Sequence, residues 1–122
     1  MTVQECYEKI NGNYQGVIAR LMTEERVKKF AMMFLKDTSC EKLQESLAAQ
    51  DYAEAFRAAH TLKGICQNLD FTGLQEPANT LTELLRDLEE KQPSDEEAKR
   101  VQALMEQVRT QYEITVSAIQ EL

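Results

Sequence analysis

The chain contains a single histidine, His60, and the residues around it could support chemistry. At about 3.6 residues per turn, His60, Lys63, Gly64 and Gln67 share one face of a helix. A neutral imidazole offers a nitrogen lone pair as a nucleophile, and Lys63 could offset the negative charge of a group that the ring accepts. Glycine inside a helix costs about 1 kcal/mol relative to alanine, so Gly64 indicates a need for clear space near the ring. Gln67 could donate a hydrogen bond to the accepted group.

The apolar residues of the same predicted helix indicate that His60 is exposed. They recur at intervals of three and four residues, and their stripe centres about 130° from His60 at 100° per residue. The imidazole should therefore project into solvent, away from the core. The stripe consists of Tyr52, Ala55, Ala59, Leu62, Cys66 and Leu69.

Short polar residues followed three positions later by an acid or an amide mark the predicted helix starts. Such a side chain can accept a hydrogen bond from an unpaired amide of the first turn. Thr23, followed by two glutamates, predicts a further start, and Asp70 predicts a left-handed end to the His60 helix. The paired signals are Thr38 with Glu41, Asp51 with Glu54, Thr72 with Gln75, and Ser94 with Glu97.

Apolar residues elsewhere also follow helical spacing, and no segment alternates with the period of a strand. Long apolar stripes joined by short breaks predict antiparallel neighbours. The sequence therefore predicts an all-α protein, an antiparallel up-and-down four-helix bundle with additional short N-terminal helices. With 122 residues, the chain is predicted to form one domain. Residues 1–22 are expected to form a helical segment packed on a bundle of residues 23–122.

The His-x-x-Lys-Gly spacing within this helical frame resembles the signature of histidine-containing phosphotransfer (Hpt) domains. Residues 48–88 follow that family's layout, and the N-terminal segment, including Tyr7, residues 11–14 and residues 30–34, is similar to its opening portion. The resemblance implies that His60 is the phosphoacceptor of a two-component phosphorelay, with Lys63 and Gly64 as its catalytic neighbours.

The same resemblance implies a carrier that relays a phosphoryl group between aspartates of response-regulator receiver domains. Receiver domains and a hybrid histidine kinase are the implied partners, and Mg²⁺ is expected on the receiver. No cofactor, metal or ATP-dependent kinase activity is expected on this chain. Two alternatives stay open: a non-phosphorylated helical interaction module, and the phosphoacceptor domain of a hybrid or chemotaxis-type histidine kinase. The initial methionine favours a free-standing protein.

The sequence departs from that family at two positions on the following helix. Many members have a glutamine near the phosphohistidine, and the equivalent spacing falls on Thr82. The chemotaxis branch has a glutamate, and its spacing falls on Asn79. The absent glutamate disfavours the chemotaxis branch, and a third site residue stays open.

A receiver would need an apolar surface beside the ring. Phe56 lies one turn before His60 on nearly the same face, where the core stripe does not account for it. Four residues of the N-terminal segment are further docking candidates, or they pack over the end of the bundle: Ile10, Tyr14, Val17 and Ile18.

Charge and composition exclude several functions. The 21 acidic and 14 basic residues give a net charge of −7, which disfavours nucleic acid binding. No apolar stretch approaches the roughly 20 residues that span a bilayer, and the N-terminus lacks the pattern of a signal peptide. Three separated cysteines and one histidine do not form a metal motif. A cytoplasmic monomer is expected.

Overall fold

The computed structural model describes residues 1–88 and 91–122, which contain seven helices and no strand. Three helices of 7 to 11 residues come first, and four helices of 10 to 26 residues follow. The first three are α1 (Val3–Lys9), α2 (Tyr14–Leu21) and α3 (Glu24–Phe34). The other four are α4 (Ser39–Ala48), α5 (Tyr52–Leu69), α6 (Thr72–Arg86) and α7 (Asp95–Gln120).

The four later helices, α4 to α7, form a four-helix bundle. Helix α5 packs between α4 and α6, α6 packs on α7, and α7 also contacts α4. The loops from α4 to α5 and from α5 to α6 span only a few residues, which makes these neighbours antiparallel. The all-α, up-and-down four-helix architecture with short N-terminal helices is therefore confirmed.

Three of the predicted helix starts use the side chain that the sequence indicates. The Thr23 hydroxyl accepts from the amide of Arg26, and the Asp51 carboxylate accepts from the amide of Glu54. Ser94 and Glu97 form a reciprocal capping box, with bonds of 3.1 and 2.9 Å. These bonds satisfy amides that the first turn of a helix leaves unpaired.

The other two starts differ from prediction. Thr38 precedes α4 but its side chain makes no capping bond; Asp37 instead accepts from the Ser39 amide at 2.9 Å. Thr72 is the first residue of α6 and not its cap, because the cap position belongs to Phe71. The amide of Gly73 donates to the Asn11 carbonyl at 3.0 Å, so α6 is capped in part by the N-terminal segment.

The N-terminal helices secure the end of α5, the helix that carries His60. Asp70 ends α5 in the left-handed conformation, as predicted, with φ 54° and ψ 39°. The Tyr7 hydroxyl donates to the Leu69 carbonyl at 2.7 Å. The Arg20 guanidinium donates to the carbonyls of Gln67 and Asn68 at 2.6 and 2.8 Å. Since the last carbonyls of a helix lack partners within it, these bonds anchor α5 to α1 and α2.

Candidate functional site

The imidazole of His60 projects from α5 into solvent, on the side away from the core. The predicted stripe faces the opposite way, and all of it is buried except the partly buried Tyr52. The expectation that His60 is exposed is therefore confirmed.

An aromatic side chain, Phe56, and a cationic one, Arg86, form a stack next to the imidazole. The Phe56 ring is partly buried and stacks on His60, with ring centroids 5.9 Å apart and an interplanar angle of 14°. The guanidinium of Arg86 on α6 lies over the Phe56 ring, 5.0 Å from its centroid. A cation on an aromatic face is attracted by the electron density of the ring. The imidazole is therefore stacked on an aromatic ring of α5, and that ring is in turn covered by a guanidinium of α6.

Glu83 joins this group from α6. Its carboxylate accepts two hydrogen bonds of 3.2 Å from Arg86, one from Nε and one from a terminal nitrogen. These bonds and the charge of Arg86 lower the pKa of Glu83 below 4.5, and Lys63 and His60 lower it further. Glu83 is thus within electrostatic range of Lys63 and His60.

The remaining predicted residues of this face differ in exposure. Lys63 is partly buried, and Gln67 is exposed one turn beyond Gly64. A Cβ built on Gly64 meets no atom within 4 Å in the described part of the chain, apart from its chain neighbours and helix backbone. The surface beside the ring is thus open at Gly64.

The two α6 positions that depart from the family pattern differ in exposure. Thr82 is buried, and its hydroxyl donates to the Ala78 carbonyl at 2.7 Å. Asn79 is exposed on α6. Glu83, the residue after Thr82, is the α6 carboxylate whose charge interacts with His60.

The N-terminal docking candidates divide into two pairs. Ile10 and Val17 do not line a surface, because their side chains are 1% and 0% exposed and belong to the core. For Ile10 and Val17, packing over the end of the bundle is therefore the alternative that is observed. Tyr14 and Ile18 are partly buried, and the Tyr14 hydroxyl donates to Glu24.

An open apolar groove of about 450 Å³ lies between α2, α3 and α5. Phe30 and Met33 contribute exposed apolar surface, at 40% and 56% exposure. Helical spacing would place Phe30 with the buried Val27, Ala31 and Phe34, but Phe30 faces this groove and not the core. Ile65 and Asn68, which follow Gly64 on α5, line the side nearest the candidate site.

A comparison with protein families matches residues 37–111 to the Hpt domain, which is more than half of the chain. The chain belongs to the Hpt domain family. No curated protein and no solved structure matches it. The match covers α4, α5, α6 and part of α7, and it includes His60 with all the α5 and α6 residues described above. Family membership implies a histidine phosphotransfer role in a phosphorelay and interaction with two-component partners.

Two further observations concern other kinds of site in this Hpt domain. Within residues 1–88 and 91–122, no three His, Cys, Asp or Glu side chains are grouped to hold a metal ion. None of the helices in those ranges is long and apolar enough to cross a membrane.

Sequence reasoning missed Glu83 and Arg86. Their spacing of three residues predicts an ion pair on a helix surface, which forms here. Their position beside His60 depends on how α6 aligns with α5, and the order of residues along the chain does not reveal that alignment.

Proposed function

We propose that His60 accepts a phosphoryl group from the aspartyl phosphate of one receiver domain and passes it to an aspartate of a second. The observation that carries this proposal is that the sole histidine of an Hpt domain is exposed on α5. An exposed imidazole is accessible to a partner and needs no neighbouring base when neutral.

The two transfers use the same ring nitrogen. In the first, its lone pair attacks phosphorus, the P–O bond to the donor carboxyl breaks, and that carboxylate leaves with the bonding electrons. In the second, a carboxylate oxygen of the acceptor attacks phosphorus, the P–N bond breaks, and the imidazole recovers its lone pair. The proton on the other ring nitrogen stays in place, so no general base is required.

The residues around His60 support this chemistry by charge and by space. Lys63 lies one turn along the same face, where its ammonium offsets the charge of the phosphoryl oxygens. Gln67 is exposed and can donate a hydrogen bond to one of those oxygens. Gly64 leaves the surface between them clear for the incoming aspartate. Mg²⁺ would be held by the carboxylates of the receiver and would offset charge on the transferring group.

We assign receiver docking to the apolar surface on the Gly64 side of His60. The groove between α2, α3 and α5 begins at Ile65 and Asn68 and presents the exposed side chains of Phe30 and Met33. Exposed apolar area of this kind is typical of a protein interaction surface. Tyr14 and Ile18 remain docking candidates at α2, and Phe56 remains one on the other side of the ring.

The proposal is tested by incubating the protein with a receiver domain phosphorylated on its aspartate. We expect phosphate to move to this chain in a form that acid hydrolyses and base does not. His60→Gln should accept none, while its free energy of unfolding changes by no more than about 0.5 kcal/mol, since the ring is exposed.

Two results would contradict the proposal. Phosphate on His60→Gln would show that another residue is the acceptor. A wild-type chain that binds receivers without accepting phosphate from any of them would be an interaction module. A second, unphosphorylated receiver added to the labelled protein completes the test, because relay requires that it then becomes labelled.

A further inference from the structure

A continuous series of contacts leads from α6 to the imidazole. Glu83 accepts two hydrogen bonds from Arg86, the Arg86 guanidinium covers one face of Phe56, and the Phe56 ring stacks on His60. Arg86 and His60 thus both contact the ring of Phe56, which lies on the side of the imidazole away from Gly64. This arrangement has a consequence for the orientation of His60.

We propose that Phe56 is a positioning residue for the His60 imidazole, and that the Glu83–Arg86 pair acts on the imidazole through Phe56. The inference rests on the proposed function of His60 as phosphoacceptor. Its physical basis is the asymmetry of the α5 surface on the two sides of the ring.

The neighbours of His60 one turn away in each direction are Phe56 and Gly64. Residues four apart on a helix lie on the same face, so both border the imidazole. Gly64 offers open space, whereas Phe56 offers a flat ring nearly parallel to the imidazole. A partner can therefore approach over Gly64 while Phe56 limits rotation of the ring from the other side.

The Glu83–Arg86 pair keeps Phe56 in that position. Phe56 is only partly buried, so core packing alone does not hold its ring in one position. Arg86 covers that ring, and its own direction is set by two parallel hydrogen bonds to one carboxylate. Side chains from α6 thus determine the orientation of a residue on α5.

The expected effect follows from the rotamers that a free histidine samples. On a helix its first torsion has two common wells and its second is roughly two-fold, so about four orientations are accessible. If one of them is productive, loss of the Phe56 ring should lower the maximal transfer rate about fourfold. If Phe56 acts by positioning the imidazole and not by docking, the affinity for the receiver should not change.

The test is single-turnover transfer from a phosphorylated receiver at increasing receiver concentration. Phe56→Leu, which keeps apolar volume but has no flat ring, should lower the maximal rate about fourfold and leave the half-saturating concentration unchanged. Phe56→Tyr, which keeps the ring, should recover most of that rate. Arg86→Gln should lower it about twofold, which is the effect of one exposed cation–π contact.

Arg109→Gln is the matched control, because it removes a similar three-residue ion pair, with Glu106, on α7. It should transfer at the wild-type rate. A Phe56→Leu variant with the wild-type maximal rate would overturn the inference. So would one in which only the half-saturating concentration rises, since Phe56 would then be a docking residue.

A second measurement does not depend on phosphotransfer. In proton NMR spectra, the stacked Phe56 ring should displace the signals of the His60 ring protons, and Arg86→Gln should move them toward the positions of a free histidine. Signals that stay unchanged in Arg86→Gln would overturn the coupling between α6 and the imidazole. If the wild-type chain accepts no phosphate, the proposed function fails, while these spectra still test the stacking.

Discussion

Lys63 is the cation that follows His60 by one turn on the same face of α5, and it is partly buried. We expect Lys63→Ala to slow phosphoryl acceptance about two- to fivefold, because a partly exposed charge contributes about 0.5–1 kcal/mol to a neighbouring charge. The rate constant is measured with the same phosphorylated receiver. Lys99→Ala, at an exposed position of α7, serves as the control for loss of one positive charge. An equal slowing in both variants would indicate a general effect of net charge.

The sequence predicts those properties of single residues that depend on one helix. The exposure of His60 and the partial exposure of Phe56 follow from their angles to the α5 stripe, and both are observed. Glu83 could not be predicted at the site, because its approach to His60 depends on the packing of α6 against α5. For Ile10 and Val17 the sequence leaves docking and packing both open, because an apolar residue near a short helix can face solvent or a neighbour; both residues are buried.

At the scale of the element, two helical glycines have opposite surroundings. A Cβ on Gly64 meets open space, whereas a Cβ on Gly73 comes within 2.6 Å of the Ile10 carbonyl oxygen. Gly64→Ala should therefore stabilise the fold by up to about 1 kcal/mol through helix propensity. Gly73→Ala should destabilise the fold by about 1–3 kcal/mol, because the backbone at Ile10 must move to make room for the new methyl group. Urea unfolding of both variants checks this pair, and a loss of stability in Gly64→Ala would contradict the open surface seen there.

Arg20 provides a test of how the N-terminal helices secure α5. Its guanidinium donates to the carbonyls of Gln67 and Asn68 and pairs with Asp70 at 3.5 Å. Arg20→Gln should lower the free energy of unfolding by about 1–2 kcal/mol. Hydrogen bonds from a charged donor are strong, but this side chain is half exposed to solvent, which weakens them.

Arg26→Gln is a suitable comparison, because Arg26 is an exposed arginine of the adjacent helix. It should change stability by no more than about 0.5 kcal/mol. Equal effects of the two substitutions would mean that the cap on α5 contributes nothing beyond charge.

The helix boundaries show where local signals suffice. Thr23, Asp51 and Ser94 cap their helices with the side chains that the local sequence predicts. At α4 the carboxylate of Asp37 takes that role, so Thr38 makes no such bond. At α6 the cap is a backbone carbonyl, Asn11, that lies far away in the sequence. Such a partner has no local sequence signal.

At the scale of the whole molecule, the bundle is predictable because the same pattern, an apolar stripe followed by a short loop, recurs along the chain. Each long helix has one apolar stripe, and short loops leave an antiparallel neighbour as the nearest partner for it. The placement of α1 to α3 is less predictable, since their stripes are short. Tyr7 shows this: it is fully buried, with its ring 5.7 Å from that of Phe71, although its sequence context gives no sign of that contact.

All three cysteines are buried in the core, one on an N-terminal helix and two on helices of the bundle. Cys6, Cys40 and Cys66 are all free and buried. Burial raises the pKa of each thiol, and it raises that of Cys40 to about 11. Because the thiolate is the reactive form, a thiol with that pKa is only about 0.1% ionised at pH 8.

We therefore expect the native protein to react very slowly with an aromatic disulfide reagent at pH 8. The same sample unfolded in guanidinium chloride should release three equivalents of chromophore at once, one for each cysteine. Raising the native sample to pH 9 should increase the slow rate, since the thiolate fraction rises as pH approaches the raised pKa. If one thiol reacts in the native state as fast as free cysteine, its helix must open independently of the bundle. Cys6 is the position to compare, because α1 is the shortest helix in the described ranges, and Cys6→Ser would remove that fast phase if α1 opens.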